Sequence, residues 1–248
     1  MNQSIECFLL LLFCVFGFCL ESTEKQGFSL IDKVYIINLK TQVERLKQMK
    51  EQLLSVGLNE KTVDVVEAVP IDCGALGCAL SHILAIELCI QSHAKTCLIF
   101  EDDFLFTVSP MNASKLISRL FAEVAEWRIV LLSGNVMKAG PSTYDFLSIT
   151  TDVQTASGYL IRSHYAPIVL HNFLRAAAHM RAAQSSCDGT RYAIDQYWKT
   201  LQKNHTHEPW YVFRPKIGRQ KKGYSSIEKR FVDYQKEEDS LPKAIINS

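Results

Sequence analysis

Three adjacent carboxylates interrupt an apolar stretch of the chain. Glu101, Asp102 and Asp103 lie in the segment CLIFEDDFLF, with apolar residues on both sides. Neighbouring carboxylates repel one another and lose solvation when they are buried, so a buried triplet needs a compensating charge. A divalent cation such as Mn²⁺ or Mg²⁺ supplies that charge, because it prefers oxygen ligands and keeps positions open for substrate phosphates.

The spacing of the three acids suggests how they are arranged. Residues two apart on an extended segment point to the same side, so we expect Glu101 and Asp103 to share a face and Asp102 to point elsewhere. The competing interpretation is a solvated loop, because charged side chains are mostly exposed. The apolar residues on both sides of the triplet favour a functional site over a loop.

Strand-like and helix-like segments alternate along the chain. Short apolar runs rich in β-branched residues predict strands, and apolar residues at helical spacing predict helices. The predicted strands cover residues 33–39, 62–68, 96–100, 128–133 and 156–162, and residues 209–215 are predicted to be an extended run. The predicted helices cover residues 43–56, 74–93, 114–126, 167–184 and 191–202. This order predicts an α/β fold with a mostly parallel sheet flanked by helices.

The acids lie where such a sheet binds its ligands. In open α/β sheets, ligands bind beyond the carboxyl ends of the strands. The triplet begins where the strand at 96–100 ends, and residues 38–45 follow the end of the strand at 33–39. We therefore expect these two segments to meet at one edge of the sheet.

Length and charge restrict the class of protein. The chain has 248 residues, 48% of them hydrophobic, which suits one ordinary core. The formal net charge is +1 and the isoelectric point is near 7.6. A nucleic-acid-binding domain usually has a basic face or a much higher isoelectric point, so we expect no nucleic-acid partner.

The first 20 residues differ from the rest of the chain. Residues 7–20 carry no charge and match the core of a signal peptide, while a membrane span needs about 20 apolar residues. The preceding segment lacks Lys and Arg and carries Glu6, so an uncleaved anchor is the alternative. Either form directs the chain to the secretory pathway, in the lumen of the endoplasmic reticulum or Golgi or outside the cell. Glycosylation sequons at Asn112 and Asn204 agree with that destination.

Five cysteines follow the leader, at positions 73, 78, 89, 97 and 187. Cys89 and Cys97 lie in apolar patterns and are predicted to be core thiols. Cys73 has two candidate disulfide partners, Cys78 and Cys187, and the sequence leaves both open. No C-x-x-C motif is present, so a structural zinc site of that kind is not indicated.

Four motifs together resemble a known family. VYIINLKTQVERL, GALGCALSHILAIE, CLIFEDD and SGYLIR occur in this order between residues 34 and 162. The pattern resembles glycosyltransferase family 25, which includes procollagen galactosyltransferases and bacterial lipooligosaccharide galactosyltransferases. The resemblance extends from about residue 33 to residue 233. It implies a Rossmann-like nucleotide-sugar transferase fold of the GT-A type, a UDP-sugar donor, usually UDP-galactose, and an inverting reaction.

The leader and the resemblance together predict three parts of the chain. We expect residues 1–20 to be a signal peptide, residues 28–234 to form the glycosyltransferase domain and residues 235–248 to be a C-terminal tail. The implied acceptor is a hydroxyl group, either on hydroxylysine of a collagen-like protein or on a glycan.

The first two motifs imply donor-binding residues. Asn38 and Leu39 would line the uridine pocket, with Arg45 nearby, although Arg45 is equally compatible with an exposed helix charge. Ser81 and His82 belong to the second motif, and His82 would contact the donor sugar or phosphate. A hydrogen-bonded structural histidine is the alternative interpretation of His82.

The acidic motif and the C-terminal segment complete the implied site. Asp103 would bind Mn²⁺ or Mg²⁺, and Glu101 would contact the ribose or reach the metal through water. Asp102 is a competing ligand. The basic segment 214–230 would fold over the diphosphate as a lid, in which Arg219 and Gln220 contact phosphate or acceptor.

An inverting transfer also needs a general base for the acceptor hydroxyl. Asp195 is the leading candidate because it lies in a predicted short helix rich in aromatic residues, which suit sugar CH groups. An aspartate on a helix surface is the competing interpretation.

Two departures from the family pattern leave other functions open. The chain has Lys40-Thr41-Gln42 where the family often has basic residues, and Ser226 where it often has an acid. These differences favour, weakly, a binding or adhesion protein that has lost turnover. A metal-dependent phosphohydrolase would fit the acidic triplet but leaves the other motifs unexplained.

Overall fold

The computed structural model describes residues 25–182, 189–203, 209–225 and 230–232. The predicted signal peptide, the predicted tail, Cys187, Asn204 and Ser226 lie outside this part of the chain. The division into a domain at 28–234 with flanking segments stays a prediction.

An eight-stranded sheet forms the centre of the fold. Its strands, in sequence order, are β1 (Lys33–Asn38), β2 (Val63–Glu67), β3 (Thr96–Glu101), β5 (Ile129–Leu131), β6 (Asn135–Gly140), β7 (Leu147–Gln154), β8 (Gly158–Arg162) and β9 (Tyr211–Phe213). Two small sheets pair β4 (Phe104–Phe106) with β10 (Gly218–Gln220) and β11 (Gly223–Ser225) with β12 (Arg230–Val232).

Helices cover the central sheet. They are a 3₁₀-helix (Gly27–Leu30), α1 (Val43–Ser55), α2 (Gly74–Gln91), α3 (Pro110–Glu123), α4 (Ala166–Ala182), α5 (Gly189–Tyr192), α6 (Ile194–Tyr197) and α7 (Lys199–Gln202). The strand order in the sheet is β2-β1-β3-β8-β5-β9-β7-β6.

Six of the eight strands in this sheet run in the same direction. β1 is parallel to β2 and β3, and β5 is parallel to β9. β8 is antiparallel to both β3 and β5, and β7 is antiparallel to both β9 and β6, so only these two strands run the other way. The predicted α/β class, with a mostly parallel sheet flanked by helices, is confirmed.

Side-chain alternation divides the core between the two faces of the sheet. In β3, Cys97 and Ile99 join the core that contains α2 and α4. Leu98 and Phe100 point the other way, into the core that contains α1 and α3. Strands buried on both faces read as continuous apolar runs, which is why β1 and β3 were recognisable in the sequence.

Helix α2 is a core element. By length and composition alone it could cross a membrane, but half of it is buried, and it packs against α4 and the sheet. Gly77 permits this close packing, because a Cβ atom at that position would lie 2.7 Å from the carbonyl oxygen of Val69. The position of α2 matters for function, because it brings Cys78 and His82 to the end of β3.

The prediction that Cys89 and Cys97 are core thiols is wrong. The two residues form a disulfide that joins the last turns of α2 to the start of β3. Their apolar surroundings were read correctly, since both are fully buried, but burial does not distinguish a thiol from a disulfide. Cys73 is also disulfide-bonded and Cys78 is a free thiol, so a Cys73–Cys78 bridge is excluded.

Two predicted helices differ from the structure. The helix expected at 114–126 begins at Pro110, because Ser109 caps it by accepting a hydrogen bond from the Asn112 amide at 3.3 Å. The helix expected at 191–202 is divided among α5, α6 and α7. Ala193 has φ −52° and ψ 142°, an extended conformation that separates α5 from α6.

The pairing of β4 with β10 depends on close packing around Phe104. A Cβ atom at Gly218 would lie 2.1 Å from Phe104 Cζ and 2.7 Å from the Leu105 carbonyl oxygen. A Cβ atom at Gly158 would lie 2.6 Å from the same ring. This packing sets the register in which Gln220 lies opposite Phe104, the residue after the acidic triplet. Gly218 is thus required for packing at this contact.

We predict that Gly218→Ala lowers the free energy of unfolding by about 1–3 kcal/mol, because the added methyl group overpacks the β4–β10 contact. Gly140→Ala is the matched control, since a Cβ atom at Gly140 would meet nothing within 4 Å. Chemical denaturation of both variants measures the difference. Equal stability of the two variants would contradict this account of β10.

Candidate active site

The acidic triplet begins in the last residue of β3 and ends in a turn. Two backbone hydrogen bonds fix it at the edge of the sheet, from the Glu101 amide to the Ser157 carbonyl at 2.9 Å and from the Asp102 amide to the Ile37 carbonyl at 3.1 Å. The acids therefore lie at the carboxyl ends of β3 and β1, as expected. The two aspartates occupy the turn before β4, so strand alternation ends at Glu101.

This turn determines which of the acidic side chains point in the same direction. Both Asp102 and Asp103 approach Nη1 of Arg45 on α1, at 3.4 and 3.6 Å. Glu101 contacts residues of α2 on the other face of the sheet. The expectation that Glu101 and Asp103 share a face and Asp102 points elsewhere is wrong, because it assumed an extended chain through all three residues.

Asp102 is held by the loop that follows β1. Asn38 Nδ2 donates to Asp102 Oδ2 at 2.6 Å and to the Gln42 carbonyl at 3.1 Å, so one amide joins the triplet to the β1–α1 loop. Burial raises the pKa of Asp102, while the hydrogen bond from Asn38 and the charge of Arg45 oppose that shift. Asn38 and Arg45 are thus brought to the triplet, and Arg45 is part of an ion pair.

The two carboxylate oxygens of Asp103 differ in their hydrogen bonding within the described part of the chain. Gln220 Nε2 donates to Oδ2 at 3.1 Å, and the Lys221 amide donates to the Asp103 carbonyl at 2.7 Å. Oδ1 is buried and has no hydrogen-bond partner in the described part of the chain. Burial, followed by the charge of Glu101, raises the pKa of Asp103 to about 7. A buried carboxylate oxygen without a donor is a suitable ligand for a cation.

Glu101 belongs to a second cluster. Oε1 of Glu101 lies 3.2 Å from His82 Nε2 and 3.6 Å from Cys78 Sγ, and the other ring nitrogen of His82 lies 3.0 Å from the Tyr159 hydroxyl. Cys78 and His82 are four residues apart on α2 and therefore share a face of that helix. Burial raises the pKa values of the Cys78 thiol and the Tyr159 phenol well above their ordinary ranges, so both remain protonated at neutral pH.

Ser81 and Leu39, which belong to the first two motifs, take part in hydrogen bonds that shape the local backbone. Ser81 Oγ donates to the Gly77 carbonyl at 2.7 Å and accepts from the Val69 amide at 2.9 Å, which ties α2 to the segment after β2. Leu39 is half-buried, and its carbonyl accepts from the Gln42 amide at 2.7 Å in the turn before α1. Both positions shape the loops next to the acids.

Asp195 lies on the Glu101 side of the site. Burial raises its pKa, and the charge of Glu101 raises it further. Asp195 Oδ2 accepts a hydrogen bond at 3.0 Å from the amide of Thr155, which has φ +76°, an unusual value for a β-branched residue. Such strain often occurs at functional sites. Asp195 is therefore not a freely solvated aspartate on a helix surface.

Arg219 and Gln220, the two site residues predicted in the C-terminal segment, point to opposite faces of β10. Gln220 contacts Asp103, whereas Arg219 lies opposite Leu105 in the β10–β4 pairing. Adjacent residues of a strand point to opposite faces, so Arg219 is directed away from the side that carries Gln220.

Sequence reasoning missed two members of the site. Cys78 was considered only as a disulfide candidate, although its spacing of four from His82 on a predicted helix was a usable signal. Tyr159 lies inside a predicted strand, and no sequence pattern indicates that it is a site residue. Its hydroxyl reaches His82 only because β8 is inserted next to β3 in the sheet.

Comparison with known proteins agrees with the motifs. Residues 67–180 match the model of the family described as glycosyltransferase family 25 (LPS biosynthesis protein). The matched segment is just under half of the chain and contains α2, the acidic triplet and β8. This match agrees with the resemblance and supports a transferase. A search of curated proteins finds no match.

The solved structures that align with this chain are distant from it in sequence. A glycosyltransferase involved in the glycosylation of the major capsid of PBCV-1 aligns with a TM-score of 0.45 and 11% identity, over 84% of this chain and 98% of that one. Mannose-1-phosphate geranyltransferase from Thermus thermophilus aligns with a TM-score of 0.40 and 9% identity, over 85% of this chain and 79% of that one.

We predict that Asn38→Ala lowers the free energy of unfolding by about 1.5–3 kcal/mol, because it removes a hydrogen bond to a partly buried carboxylate. Thermal or chemical denaturation measures the loss, and Gln91→Ala, an exposed amide at the end of α2, is the control. The pKa of Asp102 should also rise, since the Asn38 hydrogen bond lowers it. Carboxyl NMR titration measures this shift, and an unchanged pKa would contradict the assigned role of Asn38.

Proposed function

We propose that this protein transfers a hexose, specifically galactose, from a UDP-sugar to a hydroxyl acceptor with inversion. The observation that carries the proposal is the buried oxygen Asp103 Oδ1, which has no donor among the described residues and lies at the carboxyl end of β3, inside the segment that matches the family 25 model. The carboxyl edge of a parallel sheet is where α/β proteins bind nucleotides. The site therefore combines the location and the chemistry that a nucleotide-sugar transferase needs.

The residues present suit a hard divalent cation. Asp103 offers Oδ1 as a carboxylate ligand, and its other oxygen is oriented by Gln220 and Arg45. Asp102 is held against Asn38 and Arg45, so Asp103 is the better ligand of the two. Oxygen ligands of this kind favour Mn²⁺ or Mg²⁺. The bound ion would stabilise the negative charge that develops on the leaving diphosphate.

The donor would lie across the ends of β1 and β3. The β1–α1 region contains Asn38, Leu39 and Arg45, and the side-chain amide of Asn38 joins it to the triplet. The uridine of the donor would bind against this region. Glu101 lies on the α2 side, where His82 orients it, and would contact the ribose. Ser81 would act indirectly, by holding α2 against the segment after β2.

Asp195 is the proposed base for the acceptor hydroxyl. A general base works best when its pKa lies near the operating pH, and burial together with Glu101 moves the pKa of Asp195 upward. Its Oδ2 is fixed by the Thr155 amide, which leaves Oδ1 to accept the proton. Attack by the deprotonated hydroxyl from the face opposite the diphosphate inverts the anomeric centre.

The acceptor and the compartment complete the proposal. Hydroxylysine of a collagen-like protein and a glycan hydroxyl are the two acceptor classes that follow from the family. A secretory compartment is supported by the Cys89–Cys97 disulfide and by the disulfide state of Cys73, because disulfides persist in oxidising compartments. Asn112 is exposed on α3, so its sequon is accessible to glycosylation.

Asp103→Asn should abolish metal-dependent transfer while leaving the fold intact. We expect UDP release from UDP-galactose, with Mn²⁺ and a hydroxylysine peptide present, to fall about 100-fold or more, since several kcal/mol of charge stabilisation are lost. Asp72→Asn, at an exposed position before α2, is the control and should keep full activity. If the Asp103 variant retains Mn²⁺-dependent turnover, the metal assignment fails. If the unaltered protein turns over no sugar nucleotide, the proposed function fails.

Asp195→Asn should separate catalysis from donor binding. The loss of a general base lowers kcat by about 10²–10⁴-fold, while the Kd for UDP, measured by calorimetry, stays unchanged. The unaltered enzyme should lose activity as the pH falls through the pKa of Asp195, which is raised above its ordinary 3.8, because only the carboxylate accepts the proton. A kcat close to that of the unaltered enzyme would exclude Asp195 as the base.

A further inference from the structure

The proposed transfer reaction uses Glu101, oriented by His82, but gives no role to the sulfur of Cys78, which lies in the same cluster. One ligand atom from each residue, Sγ, Nε2 and Oε1, lies within 4.8 Å of the other two. Glu101 Oε1 is the shared point, at 3.2 Å from His82 Nε2 and 3.6 Å from Cys78 Sγ. Sulfur, nitrogen and oxygen thus converge on a small common volume.

These separations suit a tetrahedral zinc ion. Zinc binds sulfur at about 2.3 Å and nitrogen or carboxylate oxygen at about 2.0–2.2 Å, so neighbouring ligand atoms around it lie about 3.4–3.6 Å apart. The two measured contacts, 3.2 and 3.6 Å, are close to those values. The third pair, from Cys78 and His82, lies within 4.8 Å, so these side chains must draw together to bind one ion.

The donor set selects a different ion from the one proposed at Asp103. Magnesium and manganese favour oxygen ligands, whereas a thiolate and an imidazole together favour zinc or another ion of similar softness. The absence of a C-x-x-C motif excludes only zinc sites built on that motif. Here two ligands are one helical turn apart on α2, and the third comes from the end of β3.

The surroundings favour a bound cation. Glu101, Asp103 and Asp195 all place negative charge near the Cys78 thiol. His82 is fully buried, and its Nδ1 lies 3.0 Å from the Tyr159 hydroxyl, the kind of outer contact that orients a metal-binding histidine. Cys78 is half-buried.

We propose that Cys78, His82 and Glu101 form a Zn²⁺ site with three protein ligands and an open fourth position. Binding replaces the thiol proton, which leaves to solvent, with a sulfur–zinc bond. With Nε2 of His82 bound to the ion, the ring proton would lie on Nδ1 and be donated to the Tyr159 oxygen. Three ligands with a fourth position for water are typical of zinc sites that are not purely structural. The proposal does not depend on the transfer reaction.

Metal titration of the intact, chelator-treated protein tests this site without an activity assay. Calorimetry with Zn²⁺ alone should show one tight site, and Co²⁺ added in its place should show a thiolate-to-cobalt charge-transfer absorption. Cys78→Ser should remove that absorption and weaken Zn²⁺ binding. Tyr159→Phe should weaken it by about 10–100-fold, as expected for an outer contact of a metal-binding histidine.

Two controls make the result specific. His171→Ala, at an exposed position on α4, and Asp103→Asn should both bind Zn²⁺ as the unaltered protein does. Circular dichroism and the unfolding midpoint confirm that each variant is folded. Zinc binding by folded Cys78→Ser at the original affinity, or a cobalt spectrum without the thiolate absorption, would overturn the proposal. Loss of the tight site in Asp103→Asn would assign the zinc to the oxygen site instead.

Discussion

The site depends on one constraint, which is how the chain accommodates three carboxylates where a buried strand ends. The strand that carries them is covered on both faces, so the three acidic side chains cannot simply point into solvent. The structure divides them. Glu101 is directed to α2, while Asp102 and Asp103 are directed to α1 and share Arg45. Each side supplies donors for its acids, and within the described part of the chain one oxygen of Asp103 has none.

Other elements of the fold hold the acidic side chains in these two directions. The β1–α1 loop supplies the Asn38 amide, and β10 is held in register by the packing of Gly218 on Phe104 so that Gln220 reaches Asp103. Helix α2 is fixed at its far end by the Cys89–Cys97 disulfide. The charged atoms are therefore positioned by apolar packing and covalent links that lie outside the site.

The two clusters also have different chemistry. The side of Asp103 offers oxygen ligands, and the side of Glu101 offers sulfur, nitrogen and oxygen together. Ligand type is what distinguishes magnesium and manganese from zinc in proteins. A short run of three acids can thus contribute to two sites of different selectivity, because a turn after the first acid separates their directions.

Much of the fold was readable from local patterns. Apolar runs located β1, β2, β3 and β8, and helical spacing located α1, α2 and α4. These elements are buried or amphipathic in ways that leave a period in the sequence. The division of residues 191–202 among α5, α6 and α7 was not readable, because an extended residue inside a helical pattern leaves no such period. The pairing of β10 with β4 was also hidden, since it joins segments more than 100 residues apart.

By itself, the sequence determined the class of fold, the family resemblance and the place of the acidic triplet at a strand end, because each of these follows from residue order and periodicity. Only the tertiary structure decided which acid faces which helix, that Cys89 pairs with Cys97, and that Tyr159 supports His82. Those facts depend on distances between segments far apart in the chain. Local patterns carry no information on such distances until the sheet order is known.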